Sequence, residues 1–167
     1  MKNAKVLLSF LIFILASSCG IGNLPSSKND ISNFQDSLQT MIDSELVKGD
    51  DLPGYLLYSN AILQDIKFVV KKIDQESKSA VVEFSYVDAM KLADSYSGPL
   101  SDAEQYYNYC VNEIMNDRAH RVEKEVTFSY CVAESDCLIE TNQDYLDVIS
   151  GGAYSAYLEM LEGEDIA

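Results

Sequence analysis

RVEKEVTFSYCV, residues 121–132, is the stretch of this sequence that decides the fold class. Its apolar and polar residues alternate, and a period of two is the pattern of a β strand with one buried and one exposed face. The predicted inner face carries Val122, Val126, Phe128, Tyr130 and Val132, and the outer face carries Glu123, Glu125, Thr127, Ser129 and Cys131. The segment therefore predicts a strand in an antiparallel sheet that packs one face against a core.

Two hairpins are predicted from the neighbouring segments. After a polar turn at 134–136, residues 137–141 are expected to pair back on 121–132. Upstream, residues 66–73 and 79–87 form a second pair of strands around a polar turn at 74–78. Their predicted inner face carries Phe68, Val70, Val82, Phe84 and Tyr86.

The clearest helical pattern precedes both hairpins, at residues 30–48. Apolar residues recur there at three- and four-residue spacing, which places them on one helix face. This stripe consists of Ile31, Phe34, Leu38, Met41, Ile42 and Leu46. Asp30 and the capping box of Ser32 with Gln35 are predicted to start the helix, and Lys48-Gly49 is predicted to end it.

Further helices are predicted at 102–117 and 153–161. A capping box of Ser101 with Glu104 would start the first, and Gly151-Gly152 separates the second from a helical turn at 145–149. A short helix is also expected at 55–63, and residues 94–99 are predicted to be a loop.

These elements predict an α+β fold. A four-stranded antiparallel sheet of two hairpins is expected to pack on the N-terminal helix and on two further helices, with residues 30–167 as a single domain. Neither an amphipathic helix nor a one-sided sheet is stable alone in water, so their apolar faces should meet. If the sheet curves around the first helix, a pocket is expected at its open end, near helices 102–117 and 153–161.

Residues 1–18 have the pattern of an export signal. Lys2 and Lys5 form a positive start, and an apolar run from Val6 to Ala16 follows, broken by Ser9. Eleven residues are too few to span a bilayer, which takes about 20, but they suit the apolar region of a signal peptide. Residues 19–29 contain Gly, Asn, Pro and Ser, and are predicted to be a flexible tether.

The segment Leu15-Ala16-Ser17-Ser18-Cys19 resembles the lipobox of bacterial lipoproteins, in which an aliphatic residue and two small residues precede a cysteine. Here Leu15 stands one place early and Ala16 takes its position. The resemblance implies that Cys19 is the lipid attachment site, that cleavage occurs before it, and that acyl chains such as palmitate anchor the protein to a membrane. It implies a place in the cell envelope, at the outer membrane in a Gram-negative host, because Gly20 is not the aspartate that retains some lipoproteins in the inner membrane.

The net negative charge of the chain argues against nucleic acids and anionic lipid surfaces as partners. The chain has 167 residues and a formal charge of −15; without Lys2 and Lys5, its 12 basic residues become 10 against 27 acidic ones, which gives −17. Such a surface repels phosphate groups, which argues against nucleic acid, and it does not attract anionic headgroups. Membrane attachment would therefore depend on the lipid.

The order of elements over residues 30–161, together with the closing segment DYLDVISGG at 144–152, resembles small bacterial lipoproteins of the nuclear-transport-factor-two-like or cystatin-like group. That resemblance implies a curved sheet around a long helix and, in many members, no catalysis. The chain departs from the group where an aromatic residue, often Trp, is usual in the last strand: it has Leu138 and Ile139 there.

Three cysteines besides Cys19 offer different chemistries. If Val132 pairs with Asp136, Cys131 faces Cys137 across the hairpin, and an oxidising compartment would favour a disulfide between them. Free thiols and a bond to Cys110 remain the alternatives. A zinc site that combines cysteines with His120, the single histidine, has no recognisable ligand spacing, so no metal site is predicted.

No other pattern indicates catalysis or a cofactor. His120 has no neighbour in sequence that would orient it as a base, and the paired acidic residues, such as Asp144 with Asp147, are interpreted as solvated faces. Eleven tyrosines suit either a core or a binding surface. The predicted ligand or partner surface consists of Tyr106, Tyr107, Tyr109, Tyr154 and Tyr157.

The sequence therefore favours a lipid-anchored, non-catalytic envelope domain that binds a small ligand or another envelope protein. The alternative is a structural, interaction or inhibitor protein without a pocket. An enzyme would require a buried carboxylate with a raised pKa in a cleft.

Overall fold

Four antiparallel strands form the sheet in the computed structural model, which describes residues 30–99, 101–133 and 136–164. The strands are β1 (Lys67–Asp74), β2 (Ser79–Val87), β3 (Arg121–Ala133) and β4 (Asp136–Ile139), in the spatial order β1-β2-β3-β4. This arrangement confirms the α+β class and the two hairpins. The predicted signal, lipobox and tether at 1–29 lie outside the described residues.

The described residues also form six helices. They are α1 (Asp30–Ser44), α2 (Gly54–Asp65), α3 (Ala89–Ser95), α4 (Ala103–Met115), α5 (Gln143–Ile149) and α6 (Ala153–Glu164). Helix α3 was not predicted. It is only seven residues long, and the Asp88 carboxylate caps it by accepting a hydrogen bond of 2.9 Å from the Lys91 N–H.

Two predicted helix boundaries are wrong. Helix α4 is capped by Asp102, whose carboxylate accepts a hydrogen bond from the Gln105 N–H, and not by Ser101. Helix α1 ends at Ser44 instead of Lys48, because the Asn60 side chain bonds to both the N–H and the carbonyl of Val47, at 3.0 and 2.8 Å. These two bonds replace the bonds that a continuing helix would make.

The core lies between α1 and the inner face of the sheet, as predicted. Phe34 of α1 contacts the ring of Phe128 at 6.1 Å and that of Tyr130 at 5.6 Å between centroids. The buried members of this interface are Phe34, Leu38, Met41, Ile42, Val82, Phe84, Val126, Phe128 and Tyr130. Phe68 and Val70, which were also expected to be buried, are only half-buried because β1 is an edge strand.

The hairpin of β3 and β4 has a different register from the predicted one. Val132 pairs with Cys137, and Cys131 pairs with Leu138. A shift of one residue moves a side chain to the other face of a sheet, so Cys131 is exposed while Cys137 is buried. The structure shows no disulfide between them, and the facing geometry on which the Cys131–Cys137 bond was predicted is absent. Val132, expected in the core, is 59% exposed.

Gly151 and Gly152 separate α5 from α6, as predicted. Both have positive φ, 65° and 83°, which glycine adopts without steric strain. The Gly151 carbonyl accepts a hydrogen bond of 2.8 Å from the Ala89 N–H, and a Cβ at this glycine would lie 2.8 Å from the Val87 carbonyl oxygen. The turn thereby joins the end of α5 to the junction of β2 and α3.

Candidate functional site

Six tyrosines form a contiguous cluster between α2, α4 and the end of α3. Tyr106 is central: its ring centroid lies 5.3 Å from that of Tyr96, 5.4 Å from that of Tyr107 and 6.2 Å from that of Tyr58. The tyrosine cluster comprises Tyr55, Tyr58, Tyr96, Tyr106, Tyr107 and Tyr109. Edge-to-face pairs of this kind stabilise helix packing by about 0.5–1.5 kcal/mol each beyond the buried area.

The tyrosine cluster is mainly a packing unit. Tyr106 is only 4% exposed, so it cannot belong to the binding surface that the sequence predicted, whereas Tyr107 and Tyr109 are half-buried. Tyr154 and Tyr157 are half-buried on α6, and the ring contacts found among the described residues do not join them to the cluster. Burial raises the pKa of Tyr106 far above its usual range and that of the adjacent Cys110 thiol to about 12. Both groups therefore stay protonated at neutral pH.

A cleft of about 400 Å³ opens beside this helix pair, at the end of α4 that lies away from the tyrosine cluster. Its walls come from the end of α2, the start of β1 and the end of α4 with the turn that follows. The lining residues are Ala61, Gln64, Asp65, Lys67, Ile114, Met115 and Asp117. A pocket near helix 102–117 was expected, but neither a tyrosine nor α6 lines this one.

The cleft combines an apolar wall with a polar rim. Ala61 and Ile114 are buried, and Met115 is 72% exposed, which is unusual for a large apolar side chain on a helix that contributes to a core. Gln64 and Lys67 are exposed polar side chains on two of the walls. Pockets for small molecules are typically apolar with a few polar groups, and start at about 300 Å³.

Arg121 binds Asp65, one of the lining residues of the cleft. Its guanidinium forms an ion pair with the Asp65 carboxylate and donates hydrogen bonds of 2.8 Å to the Asp65 carbonyl and 3.1 Å to the Ser85 carbonyl. It therefore ties α2 to β2 and β3. Because this guanidinium neutralises Asp65, that carboxylate adds little free charge to the cleft.

A second ion cluster joins the sheet to the C-terminal helices. Lys124 Nζ lies 3.1 Å from Asp147 Oδ2 and 2.8 Å from Asp144 Oδ1. The other oxygen of Asp147 accepts a hydrogen bond of 2.9 Å from the Ser155 N–H. The predicted solvated face is thus wrong for Asp147, which is 6% exposed. Its role is structural, since it has partners on both oxygens.

His120 has an acidic neighbour that the local sequence did not supply. Its Nδ1 lies 3.7 Å from Asp88 Oδ2, and its Nε2 lies 3.2 Å from Lys91 Nζ. Asp88 also caps α3, so its carboxylate is not dedicated to the imidazole. His120 does not line the cleft. In the part of the chain that the structure describes, no group of three His, Cys, Asp or Glu residues could hold a metal ion.

Glu45 is a buried carboxylate outside the cleft. Burial raises its pKa, and within the described residues its Oε2 has no hydrogen-bond partner; the same is true of the hydroxyl of the buried Tyr145. A raised carboxyl pKa means that the folded state binds the proton more tightly, so this group destabilises the fold as the pH rises above the ordinary glutamate value. Glu45 does not line the cleft described above.

The cysteine geometry predicts a graded thiol reactivity. Native protein treated with iodoacetamide at neutral pH should be alkylated at Cys131, which is exposed, and hardly at Cys110 or Cys137, which are buried. Peptide mapping by mass spectrometry measures this order, and alkylation in urea, which should modify all three, is the control. Finding Cys131 protected until a reductant is added would contradict the free thiol and revive the disulfide.

No family model, curated protein or solved structure matches this chain. Among the described residues, no helix combines the length and the apolar character needed to cross a membrane.

Proposed function

We propose that this chain is a bacterial lipoprotein of the cell envelope. The proposal rests on the positive start, the apolar run and the small residues that lead to Cys19, because only a cysteine thiol can form the thioether to diacylglycerol. Two or more acyl chains, at about 0.8 kcal/mol per buried CH₂ group, hold a protein firmly on a membrane. An anchor of this kind also suits a domain whose net negative charge gives it no attraction to anionic lipid.

The anchored domain, in this proposal, binds a small molecule in the cleft and does no chemistry on it. The observation that carries the proposal is the cleft itself: it has a volume of about 400 Å³ and is lined by the buried Ala61 and Ile114 and by the exposed Met115. Methionine is flexible and polarisable, and adapts its shape to a ligand. The bonds of Arg121 to Asp65 and Ser85 hold one wall, the end of α2, against the sheet without a ligand, which lowers the entropic cost of binding.

Methyl NMR tests whether the cleft takes ligands. The chain contains five methionines, and Met115 is the one that lines the cleft. With ¹³C-labelled methionine methyls, a set of small organic fragments of neutral, cationic, anionic and zwitterionic classes should include compounds that shift the Met115 signal. The Met41 and Met90 signals should stay unchanged because Met41 is buried in the core and neither residue lines the cleft.

A matched pair of variants makes this experiment specific. Gln64→Trp places a large ring on an exposed wall position and should remove the shifts, whereas Gln143→Trp, at an exposed position on α5, should leave them unchanged. If no compound of any class moves the Met115 signal, or if the shifts persist in Gln64→Trp, the domain is not a small-ligand binder at this cleft. An interaction protein without a pocket would then be the better account.

A further inference from the structure

Two side chains of opposite charge, Lys67 and Asp117, line the cleft. Within the described parts of the chain, neither of them has an ion pair or a side-chain hydrogen bond. Two nearby carboxylates already have partners: Asp65 pairs with Arg121, and Glu113 pairs with Arg118, whose atoms lie 2.6 Å apart. Among the described residues, the cleft therefore contains one cation and one anion that are not in an ion pair.

These two charges come from different walls. Lys67 is the first residue of β1, and Asp117 follows the end of α4, where it has a positive φ of 54°. The turn is fixed by hydrogen bonds of 2.9 Å from the Asp117 N–H to the Ile114 carbonyl and from the Arg118 N–H to the Glu113 carbonyl. The backbone of Asp117 is therefore held in place before any ligand arrives.

The cleft also has apolar lining residues beside these two charges. Ala61, Ile114 and Met115 offer contact area for an aliphatic group, and the exposed Gln64 amide can donate and accept hydrogen bonds. A ligand that satisfies all of these groups needs an anionic end for Lys67, a cationic end for Asp117 and an aliphatic part. A molecule with only one charge could pair with Lys67 or with Asp117, but not with both.

We propose that the cleft binds a small zwitterion with an aliphatic side chain, of the chemical class of a free amino acid or a short peptide with free termini. This inference rests on the proposed function, because it names the class of ligand for the same cleft. The charges on the cleft residues favour it over a hydrocarbon, a sugar or a phosphate ester. In a domain of such high negative charge, Lys67 is the cationic group of this cleft that is not already paired.

L-leucine and two of its derivatives test whether binding requires the ammonium group, the carboxylate or both. L-leucine carries both charges, N-acetyl-L-leucine lacks the ammonium, and L-leucinamide lacks the carboxylate. Followed through the Met115 methyl signal of the mature chain, L-leucine should bind about tenfold more tightly than either derivative, the usual effect of losing one charged hydrogen bond. Glycine, which lacks the side chain, should bind more weakly than L-leucine. The dipeptide Gly-Leu then distinguishes a free amino acid from a peptide as the better ligand.

Variants that remove one charge test whether Lys67 binds the carboxylate of the ligand and Asp117 binds its ammonium group. Lys67→Gln should lower the affinity for L-leucine about tenfold. This variant should then bind L-leucine and L-leucinamide with equal affinity. Asp117→Asn, which keeps a residue that tolerates positive φ, should abolish the advantage over N-acetyl-L-leucine. Lys72→Gln removes an exposed lysine of β1 that does not line the cleft and should change neither ratio.

The outcomes of these experiments distinguish the zwitterion inference from the proposal that the cleft binds small molecules. Equal binding of the three leucine derivatives, or variants of Lys67 and Asp117 that bind as the wild type does, would overturn the zwitterion inference while cleft binding by other fragments stands. If no compound shifts the Met115 methyl signal, both the zwitterion inference and the proposal of ligand binding at the cleft are wrong.

Discussion

Replacing Phe128 by alanine should lower the free energy of unfolding by about 3–5 kcal/mol, the usual loss for a large aromatic side chain in a core. Phe128 is fully buried, and its ring contacts three different elements. The centroid distances are 6.1 Å to Phe34 of α1, 6.1 Å to Phe84 of β2 and 5.8 Å to Tyr145 of α5. The truncation leaves a cavity at the point where α1, the sheet and α5 meet.

Urea unfolding followed by circular dichroism measures this loss. Because domains of this size are stable by about 5–15 kcal/mol, the variant should unfold at a much lower urea concentration. Val69→Ala is the matched control: Val69 lies on β1 with 57% of its surface exposed, so its truncation should change the stability by about 0.5 kcal/mol. Equal midpoints for the two variants would contradict the assignment of Phe128 to the core.

The sheet and its covering helix were predictable because burial sets their sequence periods. The period of two in β3 and the three- and four-residue spacing in α1 both follow from one buried face, and both were found where expected. Helix α3 was not predictable, since seven residues carry too little periodicity and its cap, Asp88, directly follows strand β2. The end of α1 depends on Asn60, a residue 13 positions beyond the bonded Val47, which no local pattern reveals.

The candidate site was much less predictable. Its lining residues come from three separate elements, and only the tertiary fold brings Lys67 and Asp117 to one cleft. Tyrosine counts suggested a binding surface, but the tyrosines that meet at α2 and α4 pack mostly on one another. One signal was present in the sequence: Lys124 occupies an inward position of the alternating strand, and a charge there needs a partner, which proves to be Asp147.

Replacing Cys19 by alanine should abolish lipid attachment completely. Alanine has no thiol to form the thioether, and in bacterial lipoproteins cleavage depends on prior modification of that cysteine. Cells that express the variant with an alkyne-tagged palmitate analogue should yield no labelled band, and the uncut chain of 167 residues should accumulate. Cys131→Ala is the matched control, because it removes an exposed thiol of the folded domain and should leave labelling intact. Continued maturation and detergent partitioning of Cys19→Ala would contradict the proposal.

The mass of the intact protein extracted from membranes tests the lipoprotein proposal most directly. We expect a chain of 149 residues that begins at Cys19. Its mass should exceed that of the bare polypeptide by a diacylglyceryl group and, where the amine is acylated, by a further fatty acid. Fragmentation should place all of the added mass on Cys19. A chain that starts at any other residue, or one whose Cys19 carries a free thiol, would contradict it.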